Sequence, residues 1–265
     1  MKIDLEGRVA LVTGGSKGIG RAIVQTLAEG GAQVAITARG AEALKKTAAE
    51  LSGSKILTIP ADATDQKEVG LVIARVIDVF GQLDILVNNV GGASKFAGFK
   101  DLTDADWRHA FDLNVLSLVH FSRAAEPHLR ASKAGRIINI SSIVGVQPGT
   151  FCPHYAVTKA ATINLSKFLS NYFVDDGVLV NVVCPGPVHS EAWNENVSRL
   201  AGERGISMEE AWQQVEHEEQ AKIPIGRVGE GEDIAGLVAF LASERANWIT
   251  GSCFHANGGK LRTIW

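Results

Sequence analysis

Residues 8–20, RVALVTGGSKGIG, decide the fold. The β-branched run RVALVT (8–13) reads as a strand, the glycine-rich TGGSKGIG (13–20) as a tight turn, and 18–30 as an amphipathic helix opening behind it. A strand, a turn and a helix in that order aim the helix's unpaired N–H groups at one spot, where a diphosphate can lie. Gly14, Gly18 and Gly20 permit the turn, the close backbone approach and tight helix–strand packing, with Thr13, Ser16, Lys17 and Ile19 completing the loop. The unit reads as the first βα step of a dinucleotide-binding sheet.

Outward from this turn the alternation continues. QVAITA (33–38), KILTIP (55–60), LDILVN (83–88), RIINIS (136–141), VLVNVVC (178–184) and CFHA (253–256) read as further strands. Their nearly unbroken apolar character suits a parallel sheet covered on both faces. Helical periodicity fills 41–52, 66–80, 104–131, 154–175 and about 231–243, with Asp65 and Thr103 as N-caps. The expectation is one α/β domain over 1–265, a doubly wound, Rossmann-type sheet of seven mostly parallel strands. One stretch breaks the pattern. Residues 190–225 are polar and helix-prone, follow a strand's carboxyl end and carry Trp193, Met208 and Trp212; they read as a helical lid over a substrate.

The composition narrows the function. A net charge of −3 without a basic tract argues against nucleic acid, and no apolar run reaches membrane-spanning length. Cys152, Cys184 and Cys253 are odd in number and far apart, which suits free thiols in a reducing cytoplasm and gives no metal-ligand spacing.

Chemistry enters with HYAVTK, residues 154–159. Tyr155 and Lys159 stand four apart, on one face of a helix, and an ammonium beside a phenol favours the phenolate. The expected consequence is a tyrosine pKa below its usual ~10. The cofactor's identity is read after the second strand, where a carboxylate would bind the ribose and repel a 2′-phosphate. Here stand Ala38 and Arg39, with Lys17 in the turn. Two cations and no acid favour NADP(H), with NAD(H) as the alternative. Asp62, after the third strand, is placed to accept from the adenine amino group or to cap its own loop.

The glycine turn, NNVGG (88–92), NISS (139–142), YAVTK (155–159) and PGPVHS (185–190), in that order, closely resemble the short-chain dehydrogenase/reductase family over about residues 5–259. The resemblance implies a catalytic tetrad. Tyr155 would be the general acid in reduction and the base in oxidation; Lys159 would hold the nicotinamide ribose and lower the tyrosine pKa. Ser142, with Ser141 as its neighbouring alternative, would bind the substrate oxygen, and Asn114 would hold a proton-relaying water. It further implies that Thr13 braces the loop, that Asn88, Gly91, Pro185 and Gly186 belong to the cofactor trough, and that Val188 and Ser190 meet the carboxamide. A homodimer or homotetramer built on the helices over 104–131 and 154–175 would be usual; the tail's own Ile264 and Trp265 read either as an apolar pair for a partner subunit to bury or as a frayed end.

The implied reaction is hydride transfer between NADP(H) and a small ketone, aldehyde or secondary alcohol. The alternatives are an NAD-dependent alcohol dehydrogenase, a 3-oxoacyl-(acyl carrier protein) reductase and, remotely, a non-catalytic dinucleotide-binding regulator. The carrier-dependent enzymes commonly place basic residues beside the active-site mouth, including an arginine where this chain has Asp175 and Asp176, so these two argue against an acidic carrier, with Arg130 and Lys133 in partial compensation. The substrate pocket is expected to draw on Ser94, Phe96, Val146, Gln147, His154, Pro185 and Trp193.

Overall fold

The computed structural model describes residues 3–51 and 55–263. Seven strands, β1 (Val9–Thr13), β2 (Gln33–Ala38), β3 (Ile56–Pro60), β4 (Ile85–Asn88), β5 (Arg136–Ile140), β6 (Leu179–Pro185) and β7 (Cys253–Ala256), form one sheet in the order β3-β2-β1-β4-β5-β6-β7. Every pairing is parallel. Between β1 and β4 the order reverses, and loops leaving the two strands in opposite directions open a crevice at their carboxyl ends.

Two apolar layers sandwich the sheet, as near-continuous apolar strands require. On one face Ile23, Val24 and Leu27 of α1 (Gly18–Glu29) and Ile234 and Val238 of α9 (Gly231–Ala242) pack on Val12, Ile36, Val87 and Val183. On the other, Val72 and Val76 of α3 (Gln66–Phe80) and Phe121 and Leu129 of α5 (Ser117–Ala131) pack on Leu11, Leu86, Ile137 and Val180. Helix α2 (Ala41–Glu50) lies over β2 and β3. Asp65 caps α3 by accepting from Lys67 and Glu68 N–H, and Thr103 forms a reciprocal capping box with Asp106 on α4 (Asp104–Phe111).

The helix expected over 104–131 is interrupted. Between α4 and α5 the chain widens into a π turn at Asp112–Leu116, with Asn114 buried inside it. Such widened turns gather at functional sites. Helix α6 (Pro153–Tyr172) starts after Cys152, whose φ of 52° is the only left-handed non-glycine backbone among the described residues.

The segment 190–225 forms α7 (Glu191–Arg204) and α8 (Met208–Gln220), which enclose an apolar cluster of their own: Trp193, Val197, Ala211, Val215 and Ile223. Trp212 packs against this cluster, whereas Met208 is exposed. Among the described residues no helix is long and apolar enough to cross a membrane. Ile264 and Trp265 lie outside the described residues.

Candidate active site

The crevice is walled by the loops that leave β1, β4, β5 and β6. Gly20 packs so tightly that a Cβ there would stand 2.2 Å from the Gly14 carbonyl oxygen, which accounts for the last glycine of the turn. Helix α1 has no side-chain cap and no acidic residue of its own in its first turn, so its first N–H groups face the crevice, where a carboxylate oxygen of Glu191 on α7 comes within 3.4 Å of the Cβ position of Gly18. Thr13 braces the loop: its hydroxyl accepts from Asn89 and Val90 N–H at 2.9 and 3.1 Å. Asn89, not singled out in the sequence, completes the brace by donating to the Thr13 and Gly14 carbonyls. The doubled asparagine after β4 was the available signal. Its neighbour Asn88 corrects the expectation of a trough residue, because its side chain turns into the core and donates to Asn139 at 2.9 Å.

Ser16 accepts from the Thr47 hydroxyl through its carbonyl, and Ile19 packs into the α1 layer. Arg39 and Lys17 are both exposed, with the Lys17 ammonium 4.0 Å from Glu195 of α7. Asp62 is engaged as a loop cap, accepting from Thr64 N–H and hydroxyl; those bonds, aided by nearby Arg39, hold its pKa below the usual range.

Across the crevice the tetrad comes together. Ser141 is buried and donates to the Lys159 carbonyl at 2.8 Å, bracing α6. The Ser142 hydroxyl instead faces the Tyr155 hydroxyl, near enough to oppose the rise of its pKa, and accepts from Val144 N–H at 3.4 Å. Geometry therefore separates two serines that the sequence left adjacent. The Lys159 ammonium donates to the Ile140 carbonyl at 2.9 Å and lies 5.6 Å from the Tyr155 ring centre. Gly91 lies against both Lys159 and Asn114. The Asn114 amide grips Gly92 at both ends, accepting from its N–H at 2.9 Å and donating to its carbonyl at 3.1 Å. Its own carbonyl accepts from Thr162 on α6.

The expected acidification of Tyr155 is corrected. Burial pushes its pKa up to about 12 against the opposing Ser142 hydroxyl, and burial pulls Lys159 down to about 8. Desolvation outweighs the pairing that the i,i+4 spacing suggested. A phenol so held stays protonated at neutral pH, the form that can give a proton away.

Beyond the tetrad, Pro185 and Gly186 end β6, Gly186 donating to the Ala256 carbonyl at 2.9 Å. Val188 is buried and forms a parallel bridge with Gly229. Ser190 caps α7 through the Trp193 N–H, and its Cβ lies within 3.3 Å of where a Cβ at Gly18 would stand, so α7 begins over the glycine turn.

Several expected pocket residues do otherwise. His154 is fully buried, edge-on to Trp107 at 6.2 Å, a packing residue. Trp193 belongs to the α7–α8 interior, and the Gln147 side chain accepts from Arg262 N–H. Val146 is half-buried, while Ser94 and Phe96 remain exposed at the rim. There the guanidinium of Arg199, on α7, stands 5.5 and 5.6 Å from the rings of Phe96 and Phe151. His189 ties the helices down, with ring nitrogens 2.7 Å from Glu216 of α8 and from Glu230 before α9. Partial burial lowers its pKa, but the bonds to Glu216 and then Glu230 outweigh this and raise it.

Asp175 and Asp176 require a further correction. They precede β6, at the amino ends of the strands and opposite the crevice, and Asp176 pairs with Arg130. Within one chain they cannot flank the mouth of the site.

A family model described as enoyl-(acyl carrier protein) reductase matches residues 14–260. An uncharacterized oxidoreductase of Methylorubrum extorquens is 39% identical, covering 96% of this chain and 98% of its own length. The 3-oxoacyl-[acyl-carrier-protein] reductase FabG of Escherichia coli is 35% identical, covering 97% and 98% respectively. The crystal structure of L-sorbose reductase from Gluconobacter frateurii, complexed with NADPH and L-sorbose, superposes with a TM-score of 0.92 at 34% identity, covering both chains completely.

Proposed function

We propose that this chain, which belongs to the short-chain dehydrogenase/reductase family, binds NADP(H) and reduces a small ketone or aldehyde to the alcohol. The observation that carries the reading is the Ser142–Tyr155 pair, with Lys159 one helical turn on, facing a crevice with a glycine turn across from it. The donor set fits a dinucleotide: an uncapped helix start for the diphosphate, and Lys17 and Arg39 for a 2′-phosphate. The reduced nicotinamide supplies the hydride when bound. Ser142 and Tyr155 both aim hydroxyls at one point, where the carbonyl oxygen gathers charge as it becomes an alkoxide. Tyr155 gives up its proton there, and Lys159 compensates the phenolate left behind.

The lid reading follows from α7, which begins over the glycine turn and carries Arg199 to the rim: α7 and α8 close over the substrate. Arg199, held through its terminal nitrogens by Glu203 and Asn196 and with its buried Nε unpartnered, would offer that Nε–H to a hydroxyl or carboxylate oxygen of a polyfunctional carbonyl compound, and the fit to a reductase solved with L-sorbose makes ketoses the first class to assay. The second reading is a 3-oxoacyl thioester, favoured by likeness to a carrier-protein reductase and no longer opposed by Asp175 and Asp176. NADPH consumption with L-sorbose against acetoacetyl thioesters separates the two; turnover of neither, across a panel of small ketones and aldehydes, would refute both.

Arg39→Asp tests the cofactor. It should weaken NADPH binding by about 10-fold or more, the loss of one charge-assisted pair, and leave NADH binding unharmed. Unchanged discrimination in a fluorescence titration would remove Arg39 from cofactor recognition.

Phe111 and Leu116, in and beside the π turn, and Val157, Phe168 and Tyr172 on α6 are exposed. We take this face to be covered by a second copy of the chain in a dimer or tetramer. Light scattering should report the multiple mass, and Phe168→Glu should shift it towards the monomer. Three free cysteines and a reductive cofactor suit the cytoplasm.

A further inference from the structure

The two strands at the end of the sheet bring together side chains that are remote in sequence. Parallel pairing of β6 with β7 sets Val182 beside Cys253 and Cys184 beside His255. Residues two apart on a strand share a face, and directly paired residues do too, so Cys184, Cys253 and His255 all point the same way. Phe254 and Ala256 pack into the α1–α9 layer, leaving the trio on the α6 side at the open end of the sheet. Cys184 Sγ and Cys253 Sγ are 3.4 Å apart, and Cys253 Sγ is 3.5 Å from His255 Nε2. All three atoms lie within 4.8 Å of one another.

Two of those separations, S···S at 3.4 Å and S···N at 3.5 Å, lie near the edges of a coordination tetrahedron, and the third stays within 4.8 Å. With Zn–S near 2.3 Å and Zn–N near 2.0–2.1 Å, tetrahedral angles require an S···S edge of about 3.8 Å and an S···N edge of about 3.5 Å. The Cys184–Cys253 edge needs to open by about 0.4 Å and the exposed His255 ring to turn towards Cys184 for the ion to enter. We propose that Cys184, Cys253 and His255 form a binding site for one thiophilic cation of the Zn²⁺ type, its fourth position open to water at the sheet edge. Both thiols lose their protons to solvent on binding. Two thiolates and a neutral imidazole ligating through Nε2 then neutralise a divalent charge, and soft sulfur ligands select against Mg²⁺ and Ca²⁺. Cys184 is buried while Cys253 and His255 are exposed, so the ion has an entry path. The site backs onto the catalytic wall, since Cys184 touches the Ser141 hydroxyl and the Ser142 backbone and directly precedes Pro185.

The test is a Co²⁺ titration of the full, reduced, chelator-stripped chain, read by thiolate-to-metal charge transfer and tetrahedral visible bands and reversed by Zn²⁺. One equivalent should saturate the signal, and Cys152→Ser should leave it unchanged. Cys253→Ser and His255→Gln, both at exposed positions, should each weaken binding by more than the roughly 10–100-fold typical of losing a group that only supports a ligand. Absence of the charge-transfer band, or its survival in both variants, would overturn the proposal. So would a chain that takes up no metal and whose mass, two hydrogens lighter without reductant, shows Cys184 and Cys253 joined as a disulfide.

Discussion

Tyr155→Phe should lower kcat for carbonyl reduction by at least about 10³-fold, within the range that a positioned general acid supplies, while NADPH affinity stays within about two-fold. The substitution removes one oxygen and keeps the ring, and that oxygen faces the Ser142 hydroxyl, so the fold loses little. Burial holds the phenol near a pKa of 12 in the free chain, which sets the sense of the pH dependence. Reduction uses the protonated phenol and the charged Lys159, so it should be level near neutrality and fall as pH rises through about 8, where burial releases the lysine's proton. Oxidation of the product alcohol uses the phenolate and should climb with pH throughout. Residual reduction above a few per cent in Tyr155→Phe, measured against stoichiometric NADPH loss, would assign the proton to another group.

Gly145→Ala should be nearly as damaging by a different route. A Cβ at Gly145 would stand 2.7 Å from the Lys159 carbonyl carbon, 2.8 Å from Ala160 N and 2.9 Å from the Lys159 carbonyl oxygen. All three are backbone atoms of α6, so no side chain can swing aside. The same turn of helix is held to β5 by the Ser141–Lys159 bond. One methyl therefore has to push α6 away from the loop that carries Ser142. Overpacking of this kind costs about 1–3 kcal/mol, which lowers Tm by several degrees at roughly 2–4 °C per kcal/mol. Turnover should fall by about 10²-fold, since misplacement by an ångström suffices for that. Gly149→Ala is the control, because a Cβ there meets nothing within 4 Å. Equal stability and activity in the two variants would show that the contact does not position the tetrad.

What was legible in the sequence is what is local. Strands β1 to β6 carry mostly apolar runs because both faces of a parallel sheet are covered, whereas the edge strand β7 alternates exposed Cys253 and His255 with half-buried Phe254 and Ala256. Tyr155 and Lys159 were legible because a helix fixes their relation within four residues. Whatever depends on surroundings was not. The phenol's pKa is set by burial that no i,i+4 rule contains. Asn88 ends β4 with its side chain in the core while Asn89, one residue on, turns to the glycine loop, and His154 and Tyr155 differ only in which side of α6 they face. Asp175 and Asp176 were assigned to the wrong end of the molecule because adjacency to a strand does not say which end of it faces the crevice. Cys184 and Cys253 meet through strand pairing alone.

The strand order also constrains how the chain can assemble. Ala10 of β1 meets Val34 of β2 early along the chain but pairs on its other side with Ile85 of β4 only much later. A chain emerging amino end first therefore completes β3-β2-β1 while the other edge of β1 is still open, an apolar strand with unpaired N–H and C=O groups that invites association. The opposite edge closes last, because β6 is covered by β7, only four residues long and close to the end of the described chain. A ribosome halted before residue 253 would leave β6, the strand ending in Pro185, as a bare edge. Closure by such distant pairings is intrinsically slow. The crevice, walled from strands as far apart as β1 and β6, thus comes into being only after these distant pairings, and its chemistry reports that they have formed.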